Sequence, residues 1–324
     1  MNEKADIIKR IEALTGWKTN LKRFKIVTDT SDWMLIQKGD IIRLDGNDYL
    51  VRGNMREPRF GIDDQPKYWV FSAIELATGK EKIIKTVYKE EFIAHVSILK
   101  IRCYRSPEKE GEVLDDTRGD ERFMQGVTFF DDEGNNVRVI DYIRGITFFR
   151  YIPEIKKPHE QYFHEDLPDI LWEILDMILG IQKLHNLGYC HGDIRNDHII
   201  IESGTRRYRW IDFDLMQDIK DFDLWSLGNI INYAVGKGII TFDAVLKSKT
   251  FSSSVKSSLT NNDGSAFYNY RIMNLQKIFP YIPEKLGHLL RHFTIKPVAF
   301  YTSIKDLLHD YTDMLETVFP RTSI

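Results

Sequence analysis

The stretch YCHGDIRNDHIII, Tyr189 to Ile201, constrains the fold and the chemistry of this chain more than any other feature. A helical pattern that begins after Asp166 leads into it, and HIIIE then begins a strand. A second strand, RYRWID, follows a Ser-Gly-Thr turn and ends at Asp212. The hairpin predicted from these two strands should bring Asp193, His198 and Asp212 close together.

Two carboxylates and an imidazole at the mouth of a hairpin can hold a divalent metal ion and position a hydroxyl group. A dinuclear phosphohydrolase would place an adjacent His-Asp pair on a helix, whereas His198 opens a strand. A zinc hydrolase would require three ligands arranged around an open position. The residues alone therefore leave two interpretations, a phosphate-and-metal site and a polar structural loop.

The composition is that of an ordinary globular protein and provides ample material for a core. Hydrophobic residues make up 43% and charged residues 29% of the 324 residues, enough for two modules or one two-lobed domain. The net charge of −3 gives no strong attraction to nucleic acids or anionic membranes. A basic stretch from Lys18 to Lys25 is expected to be a solvated surface, with nucleic-acid binding as the alternative.

Cysteine usage and the N-terminal sequence favour a cytoplasmic protein. The two cysteines, Cys103 and Cys190, provide no disulfide framework. The first residues, MNEKADIIKRIEAL, are charged throughout and lack the apolar core of a signal peptide. No stretch of uninterrupted apolar residues is long enough to span a bilayer, so we expect no membrane partner.

The sequence predicts mainly β-strands in the first half of the chain and mainly helices in the second half. Ile7, Ile11 and Leu14 lie on one stripe of a predicted N-terminal helix, and strands follow from about Phe24 to Val87. A short helix around residues 108–115 and two further strands complete this half. In the second half we predict several helices, and a mobile polar loop over residues 248–265.

The motifs resemble those of the protein-kinase-like superfamily. HGDIRNDH aligns without gaps onto the family string H-R-D-L-K-x-x-N, and the later DFD, Asp212 to Asp214, aligns onto D-F-G. DFDLWSLGNIINYAVGKG resembles the D-x-W-S-L-G core helix of Ser/Thr protein kinases, and AIELATGKEKIIKTVY resembles their second and third strands. The resemblance covers most of residues 49–318 in the correct order, which makes it specific.

The resemblance implies an α+β, two-lobed fold with a β-rich N-lobe and a mainly helical C-lobe. The implied boundaries are an N-terminal extension over residues 1–48, made of a helix plus strands, an N-lobe over 49–144 and a C-lobe over 145–324. The implied ligands are ATP and Mg²⁺ or Mn²⁺. The resemblance leaves the choice between ATP and GTP, the oligomeric state and the role of the extension open.

The family's roles can be carried over residue by residue. Asp193 would accept or orient the proton of the attacking hydroxyl, and Arg195 would help to neutralise the transferring phosphate. Asp212 and His198 would bind the metal ion. Lys85 would hold the α- and β-phosphates. The acidic partner of this lysine would be Glu110, which fits best, with Glu108 and Glu112 as competing candidates. The backbone of Asp141, Tyr142 and Ile143 would hydrogen-bond the adenine.

His198 is the departure that bears most on activity. The family has Asn at this position, and Mg²⁺ prefers oxygen ligands, whereas imidazole suits softer ions. The aminoglycoside 2''-phosphotransferases, however, carry a metal-binding His at this position. Since Asp193, Arg195 and Asp212 are all present, we expect an active enzyme that Mn²⁺ supports at least as well as Mg²⁺.

Further departures concern regulation and the nucleotide loop. Gly192 replaces the Arg of H-R-D, and Asp214 replaces the Gly of D-F-G. Only eleven positions separate Asp212 from Asp223, without an A-P-E string, so the segment that docks peptides in protein kinases is nearly absent. The stretch RGNMREPRFG, which stands in place of the Gly-rich loop, contains only two glycines.

Two functions follow from this pattern. The first is ATP-dependent transfer of the γ-phosphate to a hydroxyl acceptor, either a protein Ser/Thr side chain or a small molecule. The alternative is a pseudokinase, a nucleotide-binding scaffold or regulator that transfers no phosphate, which the poor Gly-rich loop and His198 favour. Nucleotide binding without ADP release would distinguish the second from the first.

Overall fold

The computed structural model describes residues 3–18, 24–59, 62–96, 99–219, 221–297 and 299–321. Lys22 and Arg23 of the basic stretch, and Phe60 and Gly61 of the stretch in place of the Gly-rich loop, lie outside these residues. The described chain separates into two compact units. Unit 1 comprises residues 1–90, 105–120 and 124–143, and unit 2 comprises residues 91–104, 121–123 and 144–324.

Unit 1 is built on one seven-stranded sheet with the strand order β1-β2-β3-β4-β5-β9-β8. Its elements, in chain order, are α1 (Glu3–Thr15), β1 (Ile26–Val27), β2 (Ile41–Leu44), β3 (Asn47–Arg59), β4 (Ile62–Glu75), β5 (Glu81–Lys85), α2 (Pro107–Asp116), β8 (Gly126–Phe130) and β9 (Asn136–Asp141). Strands β6 and β7 belong to unit 2. Alternating apolar residues of the central strands, among them Ile42, Val51 and Ile84, form the core on one face.

The N-terminal helix α1 forms where the apolar stripe predicted it. Ile7 and Ile11 are buried in one cluster with Leu50 of β3 and with Leu76, which follows β4, whereas Leu14 remains partly exposed. The helix ends at Thr15, and the next residue, Gly16, has a φ of 68°, which suits a residue without a Cβ atom. The N-terminal residues are therefore packed onto the same sheet that carries Lys85.

Helix α2 begins and packs for identifiable reasons. The Ser106 hydroxyl caps it by accepting the N–H of Lys109 at 3.1 Å, and Pro107 supplies a fixed φ in the first turn. A Cβ atom on Gly111 would lie 2.9 Å from the hydroxyl of Thr128, so this glycine allows α2 to lie close to β8. The helix thereby presents Glu110 to the interior of unit 1.

Unit 2 is mainly helical, as the sequence predicts. Its elements are β6 (Glu91–Val96), β7 (Leu99–Arg105), β10 (Gly145–Thr147), α3 (Phe148–Glu154), α4 (His159–Glu165), α5 (Leu167–Asn186), β11 (Ile199–Glu202), β12 (Tyr208–Trp210), β13 (Leu215–Gln217), α6 (Phe222–Val235), α7 (Phe242–Lys247), α8 (Ser253–Ser258), α9 (Glu284–Arg291) and α10 (Ile304–Val318). Strands β10, β11 and β12 form one small sheet, and β13, β7 and β6 form another.

The core of unit 2 surrounds α5 and α6. The stripe of α5 that includes Leu171, Ile174 and Ile178 is fully buried, and the Tyr311 hydroxyl of α10 donates to the Leu171 carbonyl at 2.9 Å. A Cβ atom on Gly228 of α6 would collide with the ring of Phe293. The close packing of these helices therefore fixes the positions of α5 and α6, which support residues 189–214.

The loop expected over residues 248–265 instead contains helix α8 and a single 3-10 turn, Asn261–Asp263. The Ser252 hydroxyl caps α8 by accepting the N–H of Val255. Asp263 is buried and accepts hydrogen bonds from Asn274 and Lys277. The polar composition that predicted a loop therefore supplies caps and buried hydrogen bonds, which a polarity argument does not distinguish from solvated residues.

Candidate active site

The loop between α5 and β11 is held in place by a buried carboxylate of α6. The Asp223 oxygens accept the N–H of His191 at 2.7 Å and the N–H of Gly192 at 2.8 Å. Gly192 has a φ of 84°, a conformation that costs little without a Cβ atom. The position at which the family has Arg is therefore a backbone turn that glycine suits.

Asp223 is fully buried and stays charged. Burial by itself raises the pKa of its carboxyl group. The hydrogen bond from His185, the charge of His191 and the N–H of Gly192 outweigh burial and hold that pKa below its ordinary value. A charged acceptor at the start of α6 thus fixes the backbone that presents Asp193.

The three residues expected at the mouth of the β11–β12 hairpin do lie together. The Nε2 atom of His198 is 3.5 Å from Oδ2 of Asp212, and its Nδ1 atom is 3.6 Å from Oδ2 of Asp193. The hairpin pairs Ile199 with Trp210, and the N–H of Ile211 donates to the carbonyl of His198 at 3.0 Å. This pairing aligns the end of β12 with the start of β11 and so explains the convergence.

The hydrogen bonds of His198 assign the tautomer of its neutral ring. Nδ1 lies 2.8 Å from the carbonyl oxygen of Asp193, which can only accept, so Nδ1 carries the proton. Nε2 is then the acceptor, and Nη2 of Arg195 donates to it at 2.9 Å. The lone pair of Nε2, the atom that would ligate a metal ion, therefore points to the side where Arg195 and Asp212 lie.

Arg195 is placed between several acceptors. Its guanidinium donates to both carboxylate oxygens of Asp197, at 3.1 and 2.8 Å, and lies 3.9 Å from the Asp193 carboxylate. Its side chain is 42% exposed, so it can reorient at little cost. The cation is thus close to the predicted catalytic carboxylate and to the predicted metal ligand.

Asp212 has a backbone conformation that is rare for a residue with a side chain. Its φ is 70°, and such strain persists only where the surroundings determine it. The next residue, Phe213, is fully buried, with its ring 4.7 Å from that of His191 and 5.8 Å from that of Phe123. This packing holds the Asp212 carboxylate beside His198.

Within the described ranges, no group of three or more His, Cys, Asp or Glu side chains is arranged to hold a metal ion by itself. The pair formed by His198 and Asp212 could supply two ligands. A metal ion bound there would need further oxygen ligands from phosphate and water, which is the usual pattern for Mg²⁺ in nucleotide sites.

Unit 1 contains the residues predicted to contact the nucleotide. Of the three glutamates considered as partners of Lys85, Glu110 is the one in contact: Nζ of Lys85 lies 2.6 Å from its Oε1. Lys85 is 7% exposed and Glu110 is completely buried. The pair is therefore an interior ion pair rather than a solvated charge.

The predicted adenine-binding segment lies at the end of β9. Asp141 is exposed, and its carboxylate accepts a hydrogen bond from Lys82 at 2.6 Å. The N–H groups of Asp141 and Tyr142 donate to the carbonyls of Gln125 and Glu81. A base that bound to residues 141–143 would therefore use the other backbone groups of this segment, including those of Ile143.

Two features of unit 1 and unit 2 have no counterpart in the sequence predictions. The first is Arg138, a fully buried arginine of β9 whose Nε lies 3.2 Å from Oε2 of Glu110. The only sequence cue is a charged residue inside the otherwise apolar run NVRVI. The second is the β6–β7 ladder, which pairs with β13 just after Asp214.

The β6–β7 ladder supports the short segment that follows Asp212. Ile101 and Cys103 of β7 pack against Leu215 of β13 and against Phe267. Ile101 is 1% exposed, whereas Ile93 on β6 is 61% exposed, so one face of the ladder forms a core and the other faces solvent. The strand after Asp214 is thus held by residues that precede α2 in the sequence.

Several known proteins are similar to this chain in sequence or in structure. No family model matches the chain. It is 28% identical over 115 residues to the probable serine/threonine-protein kinase fnkE of Dictyostelium discoideum, covering 34% of this chain and 8% of that protein. It is 24% identical over 174 residues to the serine/threonine-protein kinase mrck-1 of Caenorhabditis elegans, covering 52% and 9%.

A third relative is human serine/threonine-protein kinase MRCK gamma, 27% identical over 128 residues that cover 39% of this chain and 7% of that protein. The chain therefore spans less than a tenth of the length of each of these relatives. Among solved structures, the PknI kinase domain of Mycobacterium tuberculosis matches 86% of this chain and 98% of its own length, with a TM-score of 0.52 and 12% sequence identity.

Proposed function

We propose that this chain, which belongs to the protein-kinase-like superfamily, is a phosphotransferase that moves the γ-phosphate of ATP to a hydroxyl group. The predicted α+β fold, with a sheet-rich first unit and a mainly helical second unit, is confirmed. The activity is a proposal, because a structural match at 12% identity concerns the fold alone.

The observation that carries the proposal is the convergence of Asp193, His198 and Asp212 within unit 2. The ring nitrogens of His198 lie 3.5 Å from a carboxylate oxygen of Asp212 and 3.6 Å from a carboxylate oxygen of Asp193. Asp193 is partly exposed, with a quarter of its side-chain surface accessible, so an incoming hydroxyl can reach it. In this proposal Asp193 accepts or orients the hydroxyl proton as the phosphoryl group is transferred.

Charge neutralisation is the second requirement of phosphoryl transfer, because negative charge must be stabilised on the phosphate oxygens. In unit 1 the ammonium group of Lys85 is fixed by Glu110 rather than free to rotate. In unit 2 the guanidinium of Arg195 lies beside Asp193. We assign Lys85 to the α- and β-phosphates and Arg195 to the phosphoryl group in transfer.

His198 and Asp212 fit a divalent metal ion by the chemistry of their donors. The assigned tautomer leaves Nε2 of His198 as a lone-pair donor on the side of the Asp212 carboxylate. A bound Mg²⁺ or Mn²⁺ would polarise phosphate oxygens and offset their charge. Arg195 donates to Nε2 in this structure, so metal binding requires its guanidinium to leave Nε2, either keeping its hydrogen bonds to Asp197 or moving to a phosphate.

The acceptor is either a small molecule or a protein side chain. Only a short strand, β13, and a few loop residues stand between Asp212 and α6, and β13 is paired with β7. This arrangement supports an enzyme whose segment is ordered without phosphorylation. Because a long peptide-docking segment is missing from residues 212–223, we favour a small hydroxyl compound over an extended peptide.

A pseudokinase is the second candidate function, and one observation favours it. The Nε2 atom that would ligate the metal ion accepts a hydrogen bond from Arg195. If that bond persists in the presence of nucleotide, unit 1 would still hold ATP through Lys85, but unit 2 would lack the metal chemistry that transfer requires.

Metal-dependent ATP binding and phosphate transfer test the two functions separately. The first measurement is the shift in unfolding temperature with ATP alone, with ATP and Mg²⁺ and with ATP and Mn²⁺. The second is transfer of labelled γ-phosphate to pools of small hydroxyl compounds and of Ser/Thr peptides. Metal-enhanced binding with transfer to a pool supports the enzyme. Metal-independent binding without transfer to either pool supports the pseudokinase.

A further inference from the structure

Two cations stand directly opposite each other in the sheet of unit 1. Lys85 at the end of β5 and Arg138 in β9 are partners in the antiparallel ladder, so their side chains leave the sheet on the same face. Like charges at such positions repel, and burial increases the repulsion. Both side chains are almost completely buried, so an anion between them is required for the arrangement to be stable.

Glu110 of α2 supplies that anion, and each cation takes one of its oxygens. Nζ of Lys85 lies 2.6 Å from Oε1, and Nε of Arg138 lies 3.2 Å from Oε2. The carboxylate cannot rotate without losing one of the two contacts. Its orientation toward Lys85 is therefore determined by Arg138 as well as by Lys85.

The guanidinium of Arg138 also donates hydrogen bonds to the backbone beside the end of β5 and at the start of β9. Nη1 of Arg138 lies 3.3 Å from the carbonyl oxygen of Thr86, the residue that follows Lys85. It lies 2.9 Å from the carbonyl oxygen of Asn136 and 3.4 Å from that residue's Oδ1 atom. One side chain thus joins the end of β5, the start of β9 and helix α2.

We propose that Arg138 is a positioning residue of the nucleotide site, which holds Glu110 and thereby fixes Lys85 for contact with the nucleotide phosphates. This inference rests on the proposed function, and it adds a residue that acts on the nucleotide through Glu110 rather than by contact. Because Arg138 holds Glu110 against the sheet, the Lys85–Glu110 ion pair is already formed in the folded protein. No separate conformational change is needed to form it. A buried ion network of this kind keeps one geometry at a cost in desolvation.

If Arg138 had only a structural role, its substitution would change different measured properties. If Arg138 only joined the end of β5 to the start of β9 through Thr86 and Asn136, its removal would lower stability but would leave the folded molecules with normal affinity for ATP. If it acts through Glu110, its effect on ATP must depend on the carboxylate. A double-mutant cycle with Glu110 separates the two roles, because coupled residues give non-additive changes.

The test uses the full chain with Arg138→Met, Arg138→Lys, Glu110→Gln and the double variant Arg138→Met with Glu110→Gln. The control is Arg43→Met, which removes another arginine of unit 1 that contacts two carboxylates, those of Asp48 and Glu3. The Kd for ATP with Mn²⁺ is measured by calorimetry at a temperature at which each variant is folded. Hydrogen exchange of the α2 amides is measured without nucleotide.

We expect Arg138→Met to weaken ATP binding about tenfold, a size typical of coupled buried charges. We expect Arg138→Lys, which keeps the charge, to recover part of the loss, and Arg43→Met to change Kd less than about twofold. In the Glu110→Gln background, Arg138→Met should add no further loss. Exchange of the α2 amides should show the same non-additivity.

Additive effects on both Kd and exchange would overturn the inference, and so would an unchanged Kd in folded Arg138→Met. If Arg138→Met does not fold, the cycle is run with Arg138→Lys, and the same criterion of non-additivity decides. If the wild-type protein binds no ATP, the proposed function fails. Non-additive exchange would then still support positioning of the Lys85–Glu110 pair, and additive exchange would overturn that as well.

Discussion

The Nε2 atom of His198 lies 3.5 Å from a carboxylate oxygen of Asp212, at the point where β12 ends beside the start of β11. An imidazole and a carboxylate at this distance offer a nitrogen and an oxygen ligand to one metal ion. His198 stands at the position where the protein-kinase-like superfamily, which the sequence motifs resemble, has Asn. Metal preference should therefore distinguish this site from one that has Asn.

We predict that Mn²⁺ supports ATP binding and turnover at least as well as Mg²⁺, because imidazole suits Mn²⁺ better than it suits Mg²⁺. His198→Asn, which restores an oxygen ligand, should shift the preference toward Mg²⁺ by about tenfold in the ratio of metal affinities. The measurement is a titration of each metal ion at fixed ATP for both proteins. An identical metal preference in wild type and His198→Asn would exclude His198 as a ligand.

We predict that Asp223→Asn destabilises the protein by about 3 kcal/mol, because a buried carboxylate that accepts two N–H groups is replaced by an amide with its own donors. Catalytic turnover should fall further than the folded fraction does, since the loop that carries Asp193 loses its anchor. Urea unfolding and turnover of the folded protein measure the two effects.

Asp221→Asn is the matched control for Asp223→Asn. Asp221 is exposed at the start of the same helix and makes no side-chain capping bond, so its substitution should change stability by less than about 0.5 kcal/mol. Equal effects of the two substitutions would show that Asp223 does not hold the loop.

The β6–β7 ladder gives a prediction about the segment after Asp214. Ile101→Ala removes a fully buried side chain that packs on Leu215, which should cost about 3 kcal/mol and speed hydrogen exchange over residues 213–219. Ile93→Ala, on the exposed strand of the same ladder, should have less than about 0.5 kcal/mol of effect. Unchanged exchange in folded Ile101→Ala would show that β7 does not order this segment.

His159 gives a prediction about acid stability. Burial lowers the pKa of His159 to about 4, and the ring stacks on Phe279 and donates to the carbonyl of Val235. The unfolded chain binds the proton first, so the contribution to stability is complete above about pH 6.5 and is lost as the pH falls toward 4. We expect His159 to account for about 1 kcal/mol of loss between pH 6.5 and 4.5, which is about half of the value for a fully buried group, because partial exposure screens the charge.

The measurement compares urea unfolding of wild type and His159→Gln across that pH range. The glutamine can still donate to Val235 but does not titrate, so the variant should lose less stability on acidification. His309→Gln, at an exposed position of α10, is the control and should follow the wild-type curve. Parallel pH curves for wild type and His159→Gln would contradict the assignment.

The convergence of Asp193, His198 and Asp212 was predictable because it depends on local structure. A helix, a short loop and a tight hairpin fix the positions of these residues within one stretch of chain. Glu110 was predictable only as the best of three glutamates, since one turn of helix decides which of them faces Lys85. The structure resolves that choice through the packing of α2 on β8.

Arg138 and the β6–β7 ladder were not predicted, because both depend on contacts between distant parts of the chain. An arginine inside NVRVI is buried only because Glu110, Thr86 and Asn136 surround it. The pairing of β7 with β13 joins segments about a hundred residues apart in sequence, which no local pattern specifies. The helix at residues 253–258 was not predicted, because a serine can cap a helix as well as lie in a solvated loop.

None of the helices in the described parts of the chain is long and apolar enough to cross a membrane. The predicted cytoplasmic location, the domain boundaries and the roles of the individual site residues stay predictions. The roles proposed for Asp193 and Asp212 depend on whether the chain turns over ATP.

Release of ADP from ATP tests that central claim most directly. It is measured with the purified chain in Mg²⁺ and in Mn²⁺, beside Asp193→Asn and Asp212→Ala, with the acceptor pool that gives the strongest transfer. The account predicts turnover by the wild type and a loss of at least about a hundredfold in both variants. Turnover that survives both substitutions, or tight metal-dependent ATP binding with no ADP release from any pool, would contradict it.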